Sequence, residues 1–178
     1  MSEHENQEPG KKIGQGMLVA SFALGLVALT FAFDGWLSNE ANPNRNPSSM
    51  QLENGTREVH LERNRQGHYV ANGSINGIAV TFLLDTGATD VAISADVAQR
   101  AGLEAGSSQR AFTANGPVQT FSTTINELVL GNILLEDIRA SITPSMNGDI
   151  ILLGMSALQH VEFSQSGNVL TLRQYPEY

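Results

Sequence analysis

Phe82-Leu83-Leu84-Asp85-Thr86-Gly87-Ala88-Thr89 is the stretch on which the reading of this chain turns. Three apolar residues of strand type deliver a carboxylate straight out of a core, and the glycine two places on lets the backbone take a tight path. A carboxylate in such a place is costly unless it is used. On either side, apolar runs are brief and turn residues recur, which is the pattern of an all-β domain rather than of βαβ units. Asn76-Gly77 between residues 69–75 and 78–84 predicts a tight hairpin whose central residues have positive φ. Gly131-Asn132 separates 128–130 from 133–135 in the same way, and Ser166-Gly167-Asn168 separates 161–163 from 169–172. One short helix is expected, capped by Ser94, with Asp96 in its first turn and Gly102 closing it. There is also an internal echo. Ile75-Asn76-Gly77-Ile78 leads to the strand ending at Asp85, and Leu130-Gly131-Asn132-Ile133 leads, some residues later, to Ile150-Ile151-Leu152-Leu153-Gly154.

Composition narrows the function. The chain has 178 residues, enough for one domain of ordinary size. Its formal net charge is -8 with ten Lys and Arg, which argues against a nucleic-acid partner. Without cysteine there is no disulfide, thiol nucleophile, zinc ribbon or iron–sulfur cluster. His60, His68 and His160 lack metal-ligand spacing, so neither a metal nor another cofactor is expected. Glu136-Asp137 reads as a solvated turn.

Residues 13–33 carry no charge, and at about 1.5 Å per residue they span roughly 30 Å of hydrocarbon as a helix. A membrane anchor is favoured over a signal peptide, whose apolar region is shorter and ends in a small-x-small cleavage site. Lys11 and Lys12 precede the run and only Arg45 follows closely, so the terminus is expected in the cytoplasm. The remainder would be periplasmic or otherwise extracytoplasmic, on the outer side of the inner membrane in a Gram-negative cell. Ser21, Gly25, Ala28 and Ala32 form a stripe of small residues suited to close helix approach. The expected organisation is a tail at 1–12, a transmembrane helix at 13–33, a flexible Asn/Pro/Ser-rich linker at 34–58 and a folded domain at 59–178.

From about residue 69 to 172 the chain resembles the retropepsin-like aspartic peptidases, and more closely their bacterial membrane-anchored branch. The resemblance rests on Asp85-Thr86-Gly87-Ala88 after an apolar strand, on Thr113-Ala114-Asn115-Gly116 where a flap hairpin belongs, and on Leu152-Leu153-Gly154 followed by Met155. It implies an all-β, half-barrel acid-protease fold with one or two short helices, in which the second motif crosses behind the Asp85 loop and 156–160 form a short helix. It further implies that Asp85 is catalytic, that Thr86 braces two such loops across an axis, and that Gly87 lets backbone donors approach.

The chemistry needs two carboxylates. Held close, they cannot both ionise, so they share a proton: the charged one activates water and its partner donates to the peptide carbonyl. This chain brings one Asp-Thr-Gly setting, since Asp90, Asp96, Asp137 and Asp149 have none. A homodimer would supply the second carboxylate and act on a peptide or protein substrate. Ala88 has no hydroxyl to donate beside the dyad, so an optimum less acidic than pepsin's is expected. Retroviral enzymes carry an Asp–Arg ion pair at the positions of Thr89 and Met155, which this chain lacks. The competing reading is a catalytically silent, dimeric binding module on the same fold. A phosphotransferase nucleophile is excluded, because no Gly-rich phosphate loop with Lys follows.

Overall fold

The computed structural model describes residues 9–113 and 116–176. The chain divides into two units, Met1–Asn39 and Glu40–Tyr178. The described part of the first belongs to helix α1 (Pro9–Ala41), within which Gly14–Phe33 is long and apolar enough to serve as a membrane span or a signal sequence.

Among its described residues the folded unit has eleven strands and two short helices. In chain order these are β1 (Ser48–Gln51), β2 (Arg57–Glu62), β3 (Val70–Ile75), β4 (Ile78–Leu84), β5 (Val91–Ser94), α2 (Ala95–Arg100), β6 (Ser108–Thr113), β7 (Gly116–Leu130), β8 (Ile133–Thr143), β9 (Ile150–Leu153), α3 (Met155–Leu158), β10 (Glu162–Ser166) and β11 (Val169–Gln174). The all-β expectation is met, and each hairpin forms where its turn residues sit. Asn76 and Gly77 have φ of 46° and 77°, the left-handed pair that a two-residue turn matched to strand twist requires. Ser94 caps α2 by accepting from Val97 N at 3.3 Å, and Gly102 leaves it at φ 66°.

The strands form two sheets. The larger runs β3-β4-β9-β5-β8-β7-β6, and an extra pairing of β3 with β7 curls it into a half-barrel. The key placement is β9, which lies parallel to β4 on one side and antiparallel to β5 on the other. Phe82 and Val80 of β4, Ile151 and Leu153 of β9, and Val91 and Ile93 of β5 are all buried. Each such side chain contributes about 1.5–3 kcal/mol by leaving water, against about 0.5–1.5 kcal/mol net for a hydrogen bond. Apolar packing therefore fixes the strands, and hydrogen bonds shape the loop they carry.

The smaller sheet, β1-β2-β11-β10, corrects the expected organisation. The stretch 34–58 is not one continuous linker: α1 runs on to Ala41, and β1 pairs with β2 from Ser48↔His60 to Gln51↔Arg57. Nor does the folded part begin at 59, since Asn44 is only 4% exposed. Its Nδ2 donates to Glu62 O and Val70 O at 2.9 and 2.8 Å, and its Oδ1 accepts from Glu62 N at 2.6 Å. A polar segment that can bury little apolar area still joins a sheet when its amides satisfy backbone groups between diverging strands. Glu136-Asp137 is also corrected. Both residues are exposed, but they lie inside β8, where Asp137 takes φ 53° and the register skips a pair between Ile138 and Glu136. That geometry is a local break in the ladder with the register unchanged on either side, rather than a turn.

Candidate active site

β4 ends at Leu84, and the parallel ladder with β9 continues one step further, Asp85 N donating to Leu153 O at 3.2 Å. The chain then turns back on itself. Ala88 N donates to Asp85 O at 3.2 Å, and Gly87 N donates to the Asp85 carboxylate, at Oδ1, at 2.9 Å. The second bond is an Asx-type turn that orients the carboxyl through the backbone of its own loop. Asp85 is partly buried and Thr86 and Gly87 are exposed, so the carboxyl sits on an open face. Three clefts, of about 780, 550 and 470 Å³, open elsewhere on the folded unit, and none is lined by residues 85–88.

The second motif lies against this loop. Leu152 and Leu153 pair with Leu83 and Leu84. Gly154 then passes so close that a Cβ built on it would stand 2.3 Å from Asp90 O and 2.7 Å from Ala88 O. Its backbone is ordinary, at φ -85° and ψ -175°, so glycine is required here for the close approach and not for the dihedral. Met155 N donates to Ala88 O at 2.8 Å and Ser156 N to Thr89 O at 2.9 Å. The Asp85 loop is thus clamped from beneath by residues 153–156. The short helix expected over 156–160 starts at Met155 and ends at Leu158.

Residues 71–160 match the protein family described as gag-polyprotein putative aspartyl protease. This chain belongs to that family. Two curated relatives are each 31% identical to it: an uncharacterized protein of Sinorhizobium encoded in the cobV 5' region, over 114 residues, and an uncharacterized protein of Rickettsia prowazekii, over 105 residues. These matches cover 62% and 57% of this chain and 49% and 45% of the relatives, so the chain spans about half the length of the curated relatives it matches. The crystal structure of a retropepsin-like aspartic protease from Rickettsia conorii superposes with a TM-score of 0.57 at 29% identity, covering 72% of this chain and 96% of that one. The retropepsin-like fold is shared.

In this retropepsin-like chain, β6 and β7 form the hairpin expected for a flap, with Thr113 opposite Gly116. Of the four flap residues named from sequence, Ala114 and Asn115 lie outside the described residues, while Gly116 opens β7 at φ 107°. Phe112, just before the tip, is 84% exposed. Sequence reasoning did not single out this apolar side chain held in water near the end of β6. It also missed Asp90, Arg139 and Ser156, which meet behind the loop through contacts 17 to 65 residues apart. Among the described residues no cluster of three or more His, Asp or Glu is arranged to hold a metal ion.

Proposed function

We propose that this protein is an aspartic endopeptidase that works as a homodimer, hydrolysing peptide bonds with a water activated between Asp85 and its copy. The observation that carries the reading is the Asp85 loop itself: one carboxyl, oriented by Gly87 N, presented on an open face and locked from below by Gly154. A single carboxylate on an open face has no acid to work with. Brought against its two-fold mate, it shares one proton, and the pair then supplies both base and acid. The charged oxygen takes a proton from water as that water attacks the peptide carbonyl. The protonated partner gives its proton to the carbonyl oxygen, and a proton returned to the nitrogen releases the amine. Thr86, exposed at the loop's tip, would brace the two loops, and the β6–β7 hairpin would close over the substrate.

The open edge of β10 supports a two-fold pairing. The two-residue turn at Gly167-Asn168 makes Ser166 and Val169 a hydrogen-bonded pair, so Phe163 and Gln165 turn their N–H and C=O groups away from β11. Antiparallel pairing of β10 with its copy about Ser164 would set Phe163 opposite Gln165 and Glu162 opposite Ser166. That register forms a hydrogen-bonded ladder and opposes no like charges. The strand carries no Lys or Pro to guard the edge. Residues 13–33 would anchor the dimer in a membrane with the amino terminus cytoplasmic and the peptidase unit periplasmic or extracytoplasmic, and their small-residue stripe would assist pairing.

The test is cleavage of casein and of a degenerate octapeptide library by the full chain in detergent, across the acid and neutral range, beside Asp85→Asn. Cleavage by the wild type alone supports the peptidase. Equal silence of two well-folded dimers would instead make it a binding module.

A further inference from the structure

The outgoing limb of the Asp85 loop, Thr89 to Val91, is held by three consecutive contacts that converge on Ser156 and Arg139. Ser156 N donates to Thr89 O at 2.9 Å. The Asp90 carboxylate, 23% exposed, accepts from Arg139 Nε at 2.7 Å. Val91 N donates to Ser156 Oγ at 3.0 Å, and the same hydroxyl donates to Arg139 O at 2.7 Å. Ser156 is 4% exposed, so its hydroxyl is a buried group with both its donor and its acceptor capacity in use. Serine is the smallest side chain able to do both. It stands two residues after Gly154, whose backbone presses under Ala88 and Asp90.

This arrangement lies one residue on from a vacancy. Thr89 and Met155 stand at the positions where retroviral enzymes carry an Asp–Arg ion pair, and these two residues cannot form one. We infer that Ser156, together with the Asp90–Arg139 pair, is a positioning clasp that substitutes for it, setting the height and tilt at which the Asp85 loop meets its two-fold copy. The inference rests on the peptidase reading above and names the residues that make its dyad geometry reproducible. The clasp touches neither substrate nor reacting atoms; it acts through Thr89–Val91 on the loop that carries Asp85. An exposed ion pair contributes little to stability in general. Its value here is directional, because Arg139 is fixed twice, by its side chain on Asp90 and by its carbonyl on Ser156. Removing the hydroxyl leaves Val91 N and Arg139 O without their partner in a buried place, so the limb must relax.

A displacement of about 1 Å at a reacting group lowers turnover by about a hundredfold, whereas substrate binding along the flap is left in place. The experiment compares full-length wild type, Ser156→Ala, Ser156→Thr and Asp90→Asn, using the best-cleaved member of the octapeptide library. It reads kcat and KM separately and also records hydrogen exchange at the Gly87 and Ala88 amides. Expected are a kcat lowered about tenfold to a hundredfold in Ser156→Ala and Asp90→Asn with KM within about twofold, faster exchange confined to the loop, and recovery in Ser156→Thr. Wild-type kcat and exchange in both variants overturn the clasp, as does faster exchange spread evenly over the folded unit, which would make Ser156 a packing residue only. If the wild type itself cleaves nothing, the peptidase reading fails, and the loop-confined exchange still decides the clasp.

Discussion

Gly154→Ala probes the crossing on which the Asp85 loop stands. The added Cβ would lie 2.3 Å from Asp90 O, 2.7 Å from Ala88 O and 2.8 Å from Asp90 C. A carbon–oxygen contact settles at about 3.3–3.6 Å, so loop and strand must separate by roughly 1 Å. Neither side yields easily. β9 is fixed by buried Ile151 and Leu153, and the loop carbonyls of Ala88 and Thr89 are bonded to Met155 N and Ser156 N. Overpacking of this kind costs about 1–3 kcal/mol, and with backbone on both sides the upper end applies. For a folded unit of this size that is a fall in Tm of about 6–12 °C. Because the displaced atoms carry Asp85, turnover should fall about a hundredfold in the molecules that remain folded. Gly87→Ala is the control: its Cβ would meet only Asp85 Oδ1, at 3.1 Å, so Tm should hold while activity falls. Thermal melting by circular dichroism with parallel cleavage assays measures both. A Gly154→Ala protein that melts within about 2 °C of wild type and keeps its turnover refutes the reasoning.

Other consequences follow from single contacts. Ala88→Ser places a hydroxyl donor beside the proposed dyad and should move the acidic limb of the pH–rate profile to lower pH; an unmoved or upward-moving limb counts against it. The Glu58 carboxyl is held below its usual range, first by its 2.5 Å hydrogen bond with His60 and then by Arg173. A carboxyl depressed by folding stabilises at pH above its unfolded value, near 4.5, and that contribution is lost as pH falls through the depressed folded value. Glu58→Gln should therefore melt lower than wild type at pH 7 and decline less steeply below about pH 4.5; parallel Tm–pH curves would contradict this. Gln165→Pro removes an outward N–H that β11 does not use, so sedimentation should show a weakened dimer of folded chains, and an unchanged dimer would remove β10 from the interface.

Local features were legible in the sequence because they need only neighbours. The Asn76-Gly77 turn, the Ser94 cap and the apolar run ending at Asp85 each follow from a few adjacent residues, and each is found in place. The crossing at Gly154 was legible through its resemblance to known chains, but its physical reason, a backbone approach that excludes a Cβ, appears only in three dimensions. What escaped was polar and distant. Asn44 reads as linker because composition registers apolar burial, and its contribution lies in hydrogen bonds to Glu62 and Val70. Ser156 and Val91 are 65 residues apart, and Asp90 and Arg139 are 49 apart. No periodicity couples such positions. Phe112 was passed over because one exposed apolar residue in a polar hairpin carries no pattern.

The central claim, that two chains build one site, is tested most directly by mixing. Wild-type and Asp85→Asn chains are combined, allowed to exchange subunits, and assayed for cleavage at fixed total concentration. If the site is shared, activity follows the square of the wild-type fraction and drops to about a quarter in an equal mixture. Activity that falls only in proportion, to about a half, would mean that each chain acts alone and would contradict the account.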